Sequence, residues 1–99
     1  MRITNHQIEI IRHVVREHAG DNAIVSLFGS RLDDNAKGGD VDLLVQLSEK
    51  VDNPALLASQ ISSRISREMQ GRKVDVLLMA PNLKQLPIHN VALEQGKQL

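Results

Sequence analysis

The stretch "LFGSRLDDNAKGGDVDLLV", residues 27–45, holds a Gly-Ser pair, a polar loop and then two aspartates one residue apart at the start of an apolar run. The segment "AIVSLF" at 23–28 is short and rich in large apolar residues, which predicts a buried strand that ends at Gly29. After the loop the chain alternates, so that Asp40 and Asp42 share one face of a second strand and the valines share the other. The stretch therefore predicts two strands joined by a polar loop that ends in paired carboxylates.

The rest of the chain predicts helices and one further strand. Apolar residues recur at helical spacing over Asn5–His18 and from Pro54 to about Gln70. The segment "KVDVLLM" at 73–79 predicts a third strand, and "PIHNVALEQG" at 87–96 predicts a short last helix. This helix is either a lid over the sheet or a partner-binding helix, and we favour the lid. The order predicts one two-layer α/β (α+β) domain over residues 1–99, with a small mixed sheet and the helices packed on one face.

Composition excludes several classes of protein. The 99 residues include one Phe, no Trp, no Tyr and no Cys, so disulfides, zinc-thiolate sites and thiol nucleophiles are excluded. Lys plus Arg equals Asp plus Glu at 12 each, and stacking residues are scarce, which disfavours extended nucleic-acid binding. No stretch resembles a signal peptide or a membrane span, so we expect a cytoplasmic protein. The four histidines lack metal-site spacing, and we interpret them as surface residues: His6, His13, His18 and His89.

Three aspartates form a candidate metal site. Asp40 and Asp42 project from the same side of a strand about 7 Å apart, where mutual repulsion raises the pKa of at least one of them unless a cation lies between. Asp75 occupies the matching place near the start of the third strand, so pairing of the two strands would bring three carboxylates to one edge of the sheet. Hard oxygen ligands suit Mg²⁺ or Mn²⁺, and Mg²⁺ commonly combines one or two carboxylates with substrate phosphates.

The Gly-Ser pair predicts a phosphate site beside these carboxylates. Gly29 permits a sharp turn at the strand end, and Ser30 offers a hydroxyl and free N–H groups at the start of a predicted helical turn. Arg31 and Lys37 in the same loop would neutralise phosphate charge. Taken singly, a Gly-Ser turn or a solvated Asp-Val-Asp strand end is common. Their conjunction in this order favours a site for a nucleoside triphosphate with bound Mg²⁺.

This arrangement resembles the minimal nucleotidyltransferases of the DNA polymerase β-like superfamily. Their signature is Gly-Ser, a loop, Asp-x-Asp and a third acidic residue on a later strand, here Gly29, Ser30, Asp40, Asp42 and Asp75. The resemblance covers nearly the whole chain. It implies the nucleotidyltransferase fold and ATP as substrate. It also implies that the three aspartates bind two Mg²⁺ ions (or Mn²⁺) and that Gly29, Ser30 and Arg31 bind the phosphates. The acceptor hydroxyl would be activated near Asp75.

The resemblance also implies a partner. Small single-domain members are commonly antitoxins paired with a helical HEPN-type toxin, which they are thought to adenylylate, and analogy of this kind rests on fold and size. An interaction module that neutralises its partner by binding alone is the alternative, and the intact set of three aspartates favours chemistry over it. A Mg²⁺-dependent nucleotide hydrolase is a third interpretation, for which no water-orienting residue is evident.

Overall fold

The computed structural model describes residues 3–29 and 40–99. Within these ranges the chain forms three helices and four strands, in the order α1 (Asn5–Ala19), β1 (Ile24–Phe28), β2 (Val41–Gln46), α2 (Pro54–Glu68), β3 (Val74–Met79), α3 (Pro87–Gln95) and β4 (Lys97–Gln98). No helix of the described residues is both long and apolar enough to cross a membrane. Every helix and strand predicted in these ranges is present, and the bounds differ by one or two residues.

The helix starts follow the capping chemistry of the sequence. Thr4 caps α1 with a reciprocal pair of bonds, since the backbone N–H of Gln7 donates to Thr4 Oγ1 at 3.1 Å and the backbone N–H of Thr4 donates to Gln7 Oε1 at 3.0 Å. Asn53 caps α2 by accepting from the backbone N–H of Leu56 at 3.2 Å, with Pro54 at the first helical position. Both helices therefore begin where local side chains satisfy otherwise unpaired N–H groups.

The four strands form one mixed sheet in the order β3-β2-β1-β4. Strand β1 pairs antiparallel with β2 and with β4, whereas β2 pairs parallel with β3. The parallel pair is joined through α2, because a parallel connection needs a crossover. Strand β4 was not predicted, since two residues are too short to show a periodic pattern. The α+β class and the mixed sheet agree with the prediction.

One face of the sheet carries the main core. Helices α1 and α2 pack there in a single apolar cluster with the odd-numbered residues of β1 and β2 and the even-numbered residues of β3. Its buried members from the strands are Val25, Leu27, Val41, Leu43, Val45, Val74 and Leu78. Removal of this apolar surface from water is the main stabilising contribution to the fold.

Helix α3 lies on the other face, which corrects the prediction that all helices pack on one face. Its Ala92 is fully buried against Phe28 and Leu44, with Leu77 and Met79 partly buried beside them. These strand residues are the alternate positions to those of the main core, so they point away from α1 and α2. The apolar residues on both faces explain the difference, since the second face also has to be covered. Helix α3 is thus a partial lid over this face.

His89 is buried, so its interpretation as a surface residue is wrong. It is 4% exposed, its Nδ1 accepts from the backbone N–H of Leu86 at 2.9 Å, and its Nε2 lies 2.9 Å from the carbonyl oxygen of Leu78. Both contacts are satisfied when Nε2 carries the proton. The side chain thereby joins the start of α3 to the outer edge of β3. His6 and His13 are exposed, as expected, and His18 is half-buried.

Candidate active site

Parallel pairing of β2 and β3 brings the predicted carboxylates to one end of the sheet. The register sets Asp42 opposite Asp75 and Val41 opposite Val74. Both aspartates occupy positions that alternate with the main core, so they lie on the face that carries α3. Asp40, immediately before β2, shares their side of the strand. Adjacent strands are roughly 4.8 Å apart, which makes Asp42 and Asp75 direct cross-strand neighbours.

Gly29 lies next to Asp42 on the β1 side of the three aspartates. It follows β1 with φ +79°, in the left-handed region that favours glycine. A Cβ atom at this position would lie well inside van der Waals contact of Asp42 Oδ2. Two features therefore demand glycine here, the backbone conformation and the space taken by a carboxylate. Gly29 and Asp42 are in contact because Phe28, the last residue of β1, pairs with Asp42.

Asp40, Asp42 and Asp75 form the carboxylate cluster, in which Asp42 lies next to both of the other aspartates. Its partial burial raises the pKa of its carboxyl above the ordinary value of 3.8, and the neighbouring charges of Asp75 and Asp40 raise the pKa further. The ammonium of Lys73 acts in the opposite direction. Asp40 is more open, with 51% of its side chain exposed, and Asp75 is exposed. A cation that enters this group would relieve the repulsion that raises the Asp42 pKa.

The donor chemistry fits a hard divalent cation that arrives with phosphate. Over residues 3–29 and 40–99, no three His, Asp or Glu side chains stand close enough to enclose a metal ion by themselves. Mg²⁺ rarely needs such a cage, since it usually takes one or two carboxylates together with substrate phosphates and water. Facing carboxylates with one raised pKa match that requirement. Ligation by Asp40, Asp42 and Asp75 stays a prediction.

Two of the predicted phosphate-binding residues lie outside the described residues, namely Ser30 and Arg31, as does Lys37. Lys73 was missed by the sequence reasoning. Its Nζ lies 4.0 Å from Asp40 Oδ2, and it stands just before β3, in line with Asp40. The signal that could have found it was its spacing of two residues from Asp75, which sets both side chains on one face of a strand.

A separate concavity lies away from the carboxylates. A cavity of about 380 Å³ opens at the opposite end of the sheet, where α1 ends and α2 begins, and its lining includes His18, Lys50 and Asp52 but none of the three predicted carboxylates. The named polar residues differ in charge, and they lie at the end of α1 and in the segment between β2 and α2. A concave shape favours a binding site in a cavity such as this one, whereas the clustering of carboxylates favours a site at the end of the sheet that holds Asp42.

No family model matches the chain, and no curated protein matches its sequence. Solved structures match it in fold. A toxin-antitoxin structure with AMP-PNP has a TM-score of 0.68 at 18% identity, covering 97% of this chain and 72% of that chain. The toxin-antitoxin MntA-HepT has a TM-score of 0.66 at 18% identity, covering 96% and 70%.

A third similar structure is the tri-AMPylated HEPN toxin of Shewanella oneidensis in complex with MNT antitoxin. It has a TM-score of 0.62 at 21% identity, covering 93% of this chain and 66% of that chain. Identities this low support a likeness of fold. The element order, the mixed sheet and these neighbours agree on one conclusion: the chain has the fold of the MNT antitoxins.

Proposed function

We propose that this chain is a Mg²⁺-dependent nucleotidyltransferase that transfers AMP from ATP to a hydroxyl of a HEPN-type toxin, and so acts as an antitoxin. The observation that supports this most is the register of β2 and β3, in which Asp42 faces Asp75 beside Asp40 and Gly29. The fold likeness to toxin-antitoxin complexes, one with AMP-PNP and one with an AMPylated HEPN toxin and MNT antitoxin, agrees with it.

In this proposal each residue near the cluster has a distinct role. Asp40 and Asp42 hold the metal ions, and Gly29 leaves room for the carboxylate of Asp42 at the phosphate side. Asp75 lies on the β3 side of Asp42, away from β1, and we assign it to the acceptor side of the site. Bound Mg²⁺ would neutralise the triphosphate and lower the barrier to attack of the acceptor oxygen on the α-phosphorus, with pyrophosphate leaving. Positioning and charge are the contributions of the protein.

A label-transfer assay tests this function. The chain is incubated with Mg²⁺, α-labelled ATP and the product of the adjacent gene as candidate acceptor, beside the Asp40→Asn/Asp42→Asn double variant. Asp52→Asn is the matched control, because it removes an aspartate at the opposite end of the sheet. We expect label on the acceptor with the wild type and with Asp52→Asn, and a loss of at least ~100-fold in the double variant.

Two other outcomes contradict the proposal. Tight metal-independent binding of the acceptor without label transfer would favour a module that neutralises its partner by binding alone. Release of labelled AMP without any labelled protein would favour a nucleotide hydrolase.

A further inference from the structure

The pairing of β2 with β3 places Lys73 beside the carboxylate cluster. The backbone N–H of Val41 donates to the Lys73 carbonyl oxygen at 2.9 Å, which continues the β2–β3 ladder one step beyond Val74. Lys73 is thus the cross-strand neighbour of Asp40, as Asp75 is of Asp42. Among the described residues, three carboxylates and one ammonium form two adjacent cross-strand pairs at this corner of the sheet, Asp40 with Lys73 and Asp42 with Asp75.

The ion pair in this corner is weak. Lys73 Nζ lies 4.0 Å from Asp40 Oδ2, and the two side chains are 69% and 51% exposed. Exposed pairs of this kind contribute little to stability, because water screens the charges and long side chains lose entropy when held. The ammonium therefore lowers the negative potential of the cluster while being easy to displace.

We infer that Lys73 is an internal counter-ion of the carboxylate cluster, which competes with the divalent metal ion for Asp40 and its neighbours and is displaced when that ion binds. The inference rests on the metal site of the proposed function. A unit positive charge a few ångströms from a divalent cation opposes its binding, and the carboxylates are less mutually repulsive while the ammonium is beside them. Lys73 thus lowers the affinity of the cluster for a metal ion. In the metal-free protein it reduces the repulsion among the carboxylates.

Direct metal binding tests this inference without any measurement of activity. Mn²⁺ binding is measured by calorimetry at about 0.1 M ionic strength, where the Debye length is about 10 Å. The full chain is used without nucleotide, as the wild type, Lys73→Met, Lys73→Arg and Lys50→Met. Lys50→Met is the matched control, since it removes the same charge at the opposite end of the sheet. Lys73→Arg keeps a cation that also pairs with carboxylates, and it should bind Mn²⁺ no more tightly than the wild type.

We expect Lys73→Met to bind Mn²⁺ about three- to tenfold more tightly than the wild type, and the gain to shrink at high salt. Lys50→Met should stay within about 1.5-fold of the wild type, because its charge is more than a Debye length away. Lys73→Met should also show a larger rise in melting temperature on addition of Mn²⁺ than the control does.

The contradicting outcomes are separable. If Lys73→Met binds Mn²⁺ no more tightly than Lys50→Met, the inference fails while the metal site stands. If Lys73→Met binds more weakly, Lys73 supports the site instead of competing with metal, and the inference fails again. If neither the wild type nor Lys73→Met binds Mn²⁺ at millimolar concentration without nucleotide, the inference fails, because the ammonium then has no metal ion to compete with in the free protein. The metal site of the proposed function, to which the ion arrives with phosphate, is tested separately by the label-transfer assay.

Discussion

The two faces of the sheet differ in what they bury and what they expose. On the α1 and α2 face, Val41, Leu43 and Val45 of β2 are buried in the main core. On the opposite face, the same strand presents Asp42 and Leu44, and among the residues that the structure describes α3 covers the middle of that face. One strand therefore serves the core and the candidate site through simple alternation of side chains.

The residues that stabilise the fold and the aspartates of the candidate site therefore lie on different faces of the sheet. The main core lies on the face away from the carboxylates, so it can hold the register of β2 and β3 without contacting them. At one end of the second face the side chain of Asp75 is exposed and that of Asp40 is partly exposed. A shift of one residue in either strand would exchange the two faces, which makes the register strongly determined.

The largest expected effect comes from truncation of the two buried leucines of β2. Leu43 and Leu44 are each 0% exposed, but Leu43 belongs to a cluster of 13 buried residues and Leu44 to a cluster of 3 among those described. We expect Leu43→Ala to lower the free energy of unfolding by about 4 kcal/mol and Leu44→Ala by about 2 kcal/mol, because the thinner cluster relaxes more easily around a cavity. Urea unfolding followed by circular dichroism measures both, since the chain lacks Trp and Tyr. Equal losses would mean that the two faces are equally well packed.

A smaller effect distinguishes two glycines of the same conformation. Gly29 has φ +79° and touches Asp42, whereas Gly71 has φ +78° and open space within 4 Å of where a Cβ atom would lie. We expect Gly71→Ala to cost about 1 kcal/mol from backbone strain alone, and Gly29→Ala about 2 to 3 kcal/mol because the methyl group also displaces a carboxylate. Only Gly29→Ala should weaken Mn²⁺ binding. If both variants bind Mn²⁺ like the wild type, the contact between Gly29 and Asp42 does not shape the site.

The smallest expected effect concerns the charge of Asp42 in the metal-free protein. Because partial burial and the neighbouring aspartates raise its folded-state pKa above 3.8, ionisation of Asp42 opposes folding, and stability falls as pH rises from about 3.8 through that raised value. Asp42→Asn lacks this penalty. We expect it to melt about 2 °C higher than the wild type at pH 7 without metal, and at the same temperature near pH 3, where the carboxyl is protonated in both states.

Calorimetry at the two pH values checks this, with Asp52→Asn as the control for loss of an aspartate. Addition of Mg²⁺ or Mn²⁺ should reverse the order at pH 7, since a bound cation stabilises the wild type and has one ligand fewer in Asp42→Asn. A variant that is less stable than the wild type at pH 7 without metal would show that Asp42 has a stabilising partner.

The sequence predicted the local elements well because their causes are local. Apolar spacing indicated α1 and α2, and alternation indicated β2 and β3 within one residue of their observed bounds. It missed the burial of His89, because the partners of that ring are the backbone of Leu86 and a carbonyl of β3, and the second partner is distant in sequence. The position of α3 was also missed, since its weak pattern of apolar residues does not indicate which face of a sheet it covers.

By itself, the sequence determined the order of helices and strands, the alternation that sets Asp40 and Asp42 on one side of a strand, and the demand for glycine after β1. Only the tertiary structure decided that Asp75 faces Asp42 and that Lys73 stands beside Asp40. The physical reason is that neighbours along a chain are set by backbone geometry, whereas neighbours across strands depend on the direction and register of pairing. That register is selected by burial of the whole apolar face against α1 and α2.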